Sequence, residues 1–292
     1  MAISVFLIAS LIPLLKSTAE IISKEQVDNN IDLFTVSLFS RVTGIPILLI
    51  GIFIFGIPDV STQFWLALSA TIPIGISGTL LYIKALDVSD LSIVSPLSSL
   101  SPILLVVTGF LFLGEVPSVY GIIGVLFIIC GVYILNVSKS TSTNLLDPFI
   151  KIKNNEAVKY IGGLLIVYSI AAPIDKIGVE ASSPILYTAA LYIGLSIGLF
   201  IVMAYKSNNW KSECKEHYKA LSLIGLFNSL ASIVQMFAIT LTLVVYVISL
   251  KRMGIIISVL YGSIFKDEGI TTARITGSII IITGITLISY TI

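Results

Sequence analysis

The sequence predicts an all-α integral membrane protein, with ten transmembrane helices arranged as two inverted five-helix repeats. Three observations predict it. Of the 292 residues, 56% are hydrophobic and only 11% charged, and the mean hydropathy is +1.05, whereas soluble domains carry about 25% charge. Residues 91–114 and 116–138 hold no Asp, Glu, Lys or Arg. At about 1.5 Å per helical residue each run crosses a ~30 Å hydrocarbon core, and in lipid it must be helical to satisfy its own backbone. The third observation is a duplication: Glu115 recurs as Glu268, 153 positions on, and the same step carries Gly109 to Gly262, Phe112 to Phe265, Gly124 to Gly277 and Gly131 to Gly284.

The register extends backward without a gap, taking Ala67-Leu68-Ser69 to Ala220-Leu221-Ser222 and Leu33-Phe34-Thr35 to Leu186-Tyr187-Thr188. Pro13, Lys16 and Glu20 match Pro173, Lys176 and Glu180 at a step of 160. A unit with an odd number of crossings, copied once, leaves its copies in opposite orientations. That is the plan of secondary transporters, whose site lies near the midplane between the halves.

In order, the first span covers residues 2–22, is interrupted by Pro13 and carries Lys16. It lacks the basic start and small-residue cleavage site of a signal peptide and reads as a retained span. The second covers 31–55 and carries Arg41, and the third covers 64–85. The fourth and fifth are the charge-free pair, joined by a tight turn at Gly114-Glu115-Val116-Pro117; Pro117 fits the first turn of the returning helix, where its missing N–H costs nothing. A polar stretch, 137–157, links the copies, giving units of 1–136 and 158–292. The sixth and seventh spans cover 158–178 and 184–205. The eighth and ninth fill 220–266 around a short ITLTLV connection, and the tenth starts near Thr272.

Net charge is +1 at pI 7.7, which gives no reason to expect a nucleic-acid partner; the expected partners are the bilayer and a small-molecule substrate, with homodimerisation left open. Cys130 lies in a span and Cys214 in a loop, too few and too differently placed for a disulfide framework. All but five of the 17 basic residues fall in loops on one side of the membrane. The positive-inside rule makes that side cytoplasmic and places both termini opposite.

The remaining five, Lys16, Arg41, Lys176, Lys251 and Arg252, fall within spans. A charge at mid-helix costs roughly 2.5 to 3.5 kcal/mol on insertion scales, so each should face a cavity, a partner or an interface. Few acids balance them: Glu20, Asp175 and Glu180 all lie near helix ends. The positive excess favours a substrate bearing carboxylate or phosphate. Snorkelling to an interface is the competing reading for Lys16 and Lys176. Asn228, Ser232 and Gln235 form a polar stripe at i, i+4, i+7 in the eighth span, which lipid would not tolerate; it either faces a pore or only hydrogen-bonds between helices. Their counterparts Gly75, Thr79 and Tyr82 are expected to oppose them across a pore. In the fourth span Ser95, Ser98 and Pro102 repeat the spacing, and Pro96 and Pro102 free carbonyls for a ligand or merely kink the helix. Glu115 and Glu268, at turns, are read as structural caps or loop-cation partners, and the glycines as packing sites.

No catalytic constellation is present. The one histidine, His217, sits in a charged loop, and there is no HExxH, no GxSxG on a strand and no glycine loop before a Gly-Lys pair. No metal, cofactor or ATP is expected to take part.

Several of these residues carry a resemblance. Pro96-Leu97, Ser101-Pro102, Gly109, Gly114-Glu115, Gly124 and Gly131 are similar to the EamA repeat of the drug/metabolite transporter superfamily. Ser249-Leu250-Lys251-Arg252, Gly262, Glu268, Gly277 and Gly284 resemble the other repeat of the same family, and Arg41 falls at its helix-two arginine. Asp267 departs from the small residue the family places before that glutamate. The resemblance implies a plasma-membrane carrier or exporter of amino acids, other metabolites or drugs, working by alternating access. It also implies termini on the cytoplasmic side, against the charge count. The expected substrate-contacting residues are Lys251, Arg252, Gln235, Asn228 and Tyr82, with Ser95 and Ser98 next. The rivals are a proton-coupled exporter of cationic drugs, for which Glu20 is the helix-one carboxylate, and a membrane-embedded enzyme or receptor.

Overall fold

The computed structural model describes residues 2–88, 94, 97–137, 157–206, 210–265 and 271–291, and these contain helices and no strands. The helices are α1 (Ala2–Asp28), α2 (Leu33–Val42), α3 (Ile45–Phe55), α4 (Thr62–Val88), α5 (Ser101–Leu113), α6 (Val119–Val137), α7 (Ala157–Glu180), α8 (Pro184–Lys206), α9 (Trp210–Leu241), α10 (Val244–Lys251), α11 (Gly254–Phe265) and α12 (Thr272–Ser289). Eight helical runs among the described residues are long and apolar enough to cross a bilayer, and Ser101–Leu113 and Val119–Leu135 are shorter apolar helices. Large apolar side chains such as Phe53, Phe55, Trp65, Leu111 and Phe265 are well exposed on their outer faces. In water that surface would be untenable; against lipid tails it costs nothing. The protein is an integral membrane protein.

Three spans, the second, the fourth and the ninth, are broken. In the second, α2 ends at Thr43, whose hydroxyl donates to its own Phe39 carbonyl at 2.6 Å and lies 3.0 Å from the Leu221 carbonyl of α9. Pro46, in the first turn of α3, has no N–H to continue the ladder. A side chain on Gly44 would strike Ser229 and the Gly225 carbonyl, so α9 lies tight against the break. The ninth span breaks at Arg252-Met253, between α10 and α11. Moving back by the 153-residue step lands on Ser99-Leu100, the turn immediately before α5. Both copies therefore carry a backbone break at the same repeat position.

Packing interlocks the copies. The most extensive helix pairs are α6 with α12, α4 with α7 and α1 with α9, each taking one helix from each copy. α6 and α12 meet on glycine: a Cβ on Gly124 would sit 2.7 Å from the Gly284 carbonyl, and one on Gly131 would sit 2.6 Å from that of Gly277. These four glycines are two repeat-related pairs, matched crosswise, as antiparallel images of one helix require. Gly114, at φ 68°, closes α5 in the left-handed conformation, and the Glu115 N–H returns to the Gly109 carbonyl at 3.2 Å. That sharp close puts the Glu115 side chain back over the helix end.

Candidate functional site

A cavity of about 170 Å³ lies among α1, α2, α8, α9 and α10, lined by Lys16, Ser40, Arg41, Tyr192, Asn228, Ser232, Gln235 and Lys251 with a few aliphatic side chains. Water takes up about 30 Å³ per molecule in the liquid, so the space holds a handful of waters or one small polar group. Pockets for drug-sized ligands run to roughly 300–1,000 Å³.

Each lining cation is oriented by neutral groups. Lys16 Nζ donates to Asn228 Oδ1 at 2.6 Å, and Lys251 Nζ to Gln235 Oε1 at 2.9 Å. An ammonium has no acceptor, so each amide is fixed with its oxygen toward the lysine and its NH₂ away. Arg41 donates to the Ser37 carbonyl at 2.5 Å and reaches Thr79 Oγ1 at 3.4 Å. Tyr192 Oη is 2.7 Å from Ser232 Oγ and 3.2 Å from the Asn228 carbonyl, which ties α8 to the polar stripe of α9.

Beside the cavity, Arg252 Nη2 donates to Ser101 Oγ at 2.8 Å and to the Ser98 carbonyl at 3.3 Å. The side chain at the break of the ninth span thus fills the carbonyl released at the break of the fourth, so the two repeat-related breaks meet. Its Nε is buried with no partner among the described residues. Glu20 is an electrostatic neighbour of Lys16, Lys251 and Arg252, but it is exposed and makes no salt bridge among the described residues. Tyr168 exposes 41% of its surface and has Arg41, Arg252 and Glu20 as electrostatic neighbours.

The structure brings only some of the sequence-predicted residues together. Lys251, Gln235 and Asn228 meet on the cavity wall; Arg252 and Ser98 are joined beside it. Tyr82 is not on that wall: it packs against Ala85, Val94 and Leu97, so it and Gly75, against Leu195, do not face the α9 stripe across a pore. Ser95 lies outside the described residues, as do Pro96 and Glu268. Lys16 does not snorkel but turns inward onto Asn228. Tyr192 and Ser40 join the wall without a sequence signal of their own, save that Tyr192 is a phenol in an otherwise apolar run.

At one end of the bundle a second polar constellation closes the helices together. Lys176 Nζ pairs with Glu115 Oε1 at 2.8 Å and donates to the Thr242 carbonyl at 3.0 Å, while Glu115 Oε2 accepts the Val244 N–H at 2.9 Å. One carboxylate thereby pins α7 and the α9–α10 turn to the end of α5. It is the one salt bridge among the described residues.

Two stretches, residues 2–137 and 157–290, match the model of the EamA-like transporter family. No curated protein matches the chain. A solved crystal structure, described only as that of a protein, is 12% identical over 98% of this chain and 96% of its own, with a TM-score of 0.77. At that identity the likeness is one of fold. With family matches covering both copies of an all-helical membrane protein, the chain belongs to the EamA-like transporter family of the drug/metabolite transporter superfamily.

Proposed function

We propose that the protein is a ten-span secondary carrier of the plasma membrane that moves small organic solutes, such as amino acids or other metabolites, by alternating access at the midplane cavity. One observation carries the reading: Lys16, Arg41 and Lys251 line one small interior space, with Arg252 beside it, and among the described residues no carboxylate pairs with any of them. Cations kept in a membrane interior at this cost are kept for a function. The two lysine ammoniums, the Arg41 guanidinium and a run of hydroxyl and amide groups on the wall supply the donors that an anionic head group would take. The cavity volume fits such a head. A cationic drug would meet like charges there.

The repeat-related lysines support alternating access. Lys176 is latched at one end of the bundle, whereas its counterpart Lys16 is turned into the cavity on Asn228. Equivalent elements in unequal states are what an inverted repeat needs to face one side at a time. With the latch at the end that carries the termini, and Glu20 and Tyr168 exposed toward the other, the cavity opens to the face of the basic loops, which the charge rule makes cytoplasmic. Energy comes from a gradient, since nothing in the sequence cradles ATP.

The test is a thermal-shift panel of amino acids, other carboxylates and phosphate esters on the purified chain, followed by flux of a stabilising compound in proteoliposomes. Lys251→Ala and Gln235→Ala should each cut flux at least tenfold. Unchanged flux in both would remove the site.

A further inference from the structure

We infer that Asp175 is a proton-binding site of the carrier, built as a reversible hydroxyl chain with Tyr187 and Thr71. Its role as a coupling site rests on the carrier reading above; its existence does not. Asp175 is 9% exposed and has no cation within salt-bridge distance among the described residues. Tyr187 Oη donates to Asp175 Oδ1 at 2.9 Å and lies 3.2 Å from Thr71 Oγ1. Tyr187 is fully buried, and the Gly178 position holds its ring: a Cβ there would come 2.1 Å from Tyr187 Cε2.

A phenol has one proton to give, so the two contacts are used in alternation. With Asp175 ionised, Tyr187 donates to the carboxylate, and Thr71, a hydrogen-bond neighbour of both groups, donates to the carboxylate or to Tyr187. With Asp175 protonated, the carboxyl donates to Tyr187 and Tyr187 donates to Thr71. Both protonation states leave the carboxyl and the phenol bonded, and the chain changes state by reorienting hydroxyls rather than by moving helices. An unpaired carboxylate buried in the membrane is costly when charged and cheap when protonated. Only an O–H bond forms or breaks, and water supplies and receives the proton.

The surroundings isolate this equilibrium. α8 presents Tyr187, α4 presents Thr71, and α10 presents Lys251 as an electrostatic neighbour. α5 carries no titratable residue, and neither does the stretch 220–241 of α9. On its own helix, Lys176 is engaged by Glu115, Glu180 is exposed at the end, and Tyr168 lies toward the opposite end beside Arg41 and Arg252. Asp175 therefore stands between the latch, one residue along the chain, and the cavity, where Lys251 feels its charge.

Infrared spectroscopy of the full chain in liposomes, titrated with pH and with no solute present, reads the site directly. The wild type should show a protonated-carboxyl C=O stretching band that titrates reversibly. It should be lost in Asp175→Asn, kept in Glu20→Gln, recovered in Asp175→Glu, and moved to higher frequency in Tyr187→Phe, which removes one hydrogen bond but keeps the acid. No titrating band in the wild type, or a band that survives Asp175→Asn, would overturn the inference. Because no solute is added, that failure is separate from failed transport.

Discussion

Lys16 and Lys251 share one solution to a hard problem: a cation inside a membrane protein is held by a neutral amide, which under the proposed function leaves it free for an anion. The amides matter as much as the lysines. Asn228→Leu removes the side-chain acceptor that holds Lys16 and leaves a buried ammonium unsatisfied, a cost of about 1–3 kcal/mol. We expect it to lower the melting temperature measured in detergent, whereas Asn228→Asp, which gives Lys16 an ion-pair partner, should restore stability and abolish flux by filling the anion's place. If Asn228→Asp transports normally, the cavity's charge is not what selects the solute. Arg252→Lys keeps the charge but loses the fork that spans Ser101 and the Ser98 carbonyl. It should reduce flux at least tenfold while leaving expression unchanged.

At the scale of elements, helices are tied in two different ways. α6 and α12 approach through glycine, with carbonyls where side chains would be. Gly131→Val inserts a branched side chain 2.6 Å from backbone and must push the helices apart; overpacking of this kind costs roughly 1–3 kcal/mol or more. The expected result is a clear loss of thermal stability, with Gly162→Val, at a position open on all sides, as the tolerant control. The other tie is polar: Glu115 holds Lys176 and the start of α10 at one end. Glu115→Gln keeps the volume and removes the charge. We expect a cysteine placed at Thr242 to react faster with a membrane-impermeant maleimide when it is combined with Glu115→Gln, read on the face that carries the termini. An unchanged rate would mean that the latch does not hold this end closed.

Across the whole molecule, the two copies are not separate bundles side by side. The pairs α4–α7 and α1–α9 are repeat images of each other, and α6–α12 maps onto itself, so the chain is an interlocked pair. Beside the polar seam, the breaks of the fourth and ninth spans meet through Arg252. Access to it should be one-sided in this state: with Cys130 and Cys214 replaced by Ser, a cysteine at Tyr168 should label from the basic-loop face and not from the other. Labelling from the termini face alone would reverse the assigned opening.

The sequence by itself determined that the chain is helical, buried in lipid and built twice. Hydrophobic runs and a fixed-step repeat are local, one-dimensional properties, and lipid permits few other backbones. It also located the interior cations, because a charge in an apolar run is conspicuous. Partners are another matter. Lys16 meets Asn228 across 212 positions and Arg252 meets Ser101 across 151, and no spacing encodes such contacts. Tyr82 shows the limit: helical periodicity puts it on the same face as Thr79, which reaches the cavity's Arg41, but one turn further along α4 that face meets the Ala85, Val94 and Leu97 cluster instead of the cavity. Tertiary structure alone decided which polar residues share one space, because that depends on how helices from opposite copies are rotated and how closely they approach.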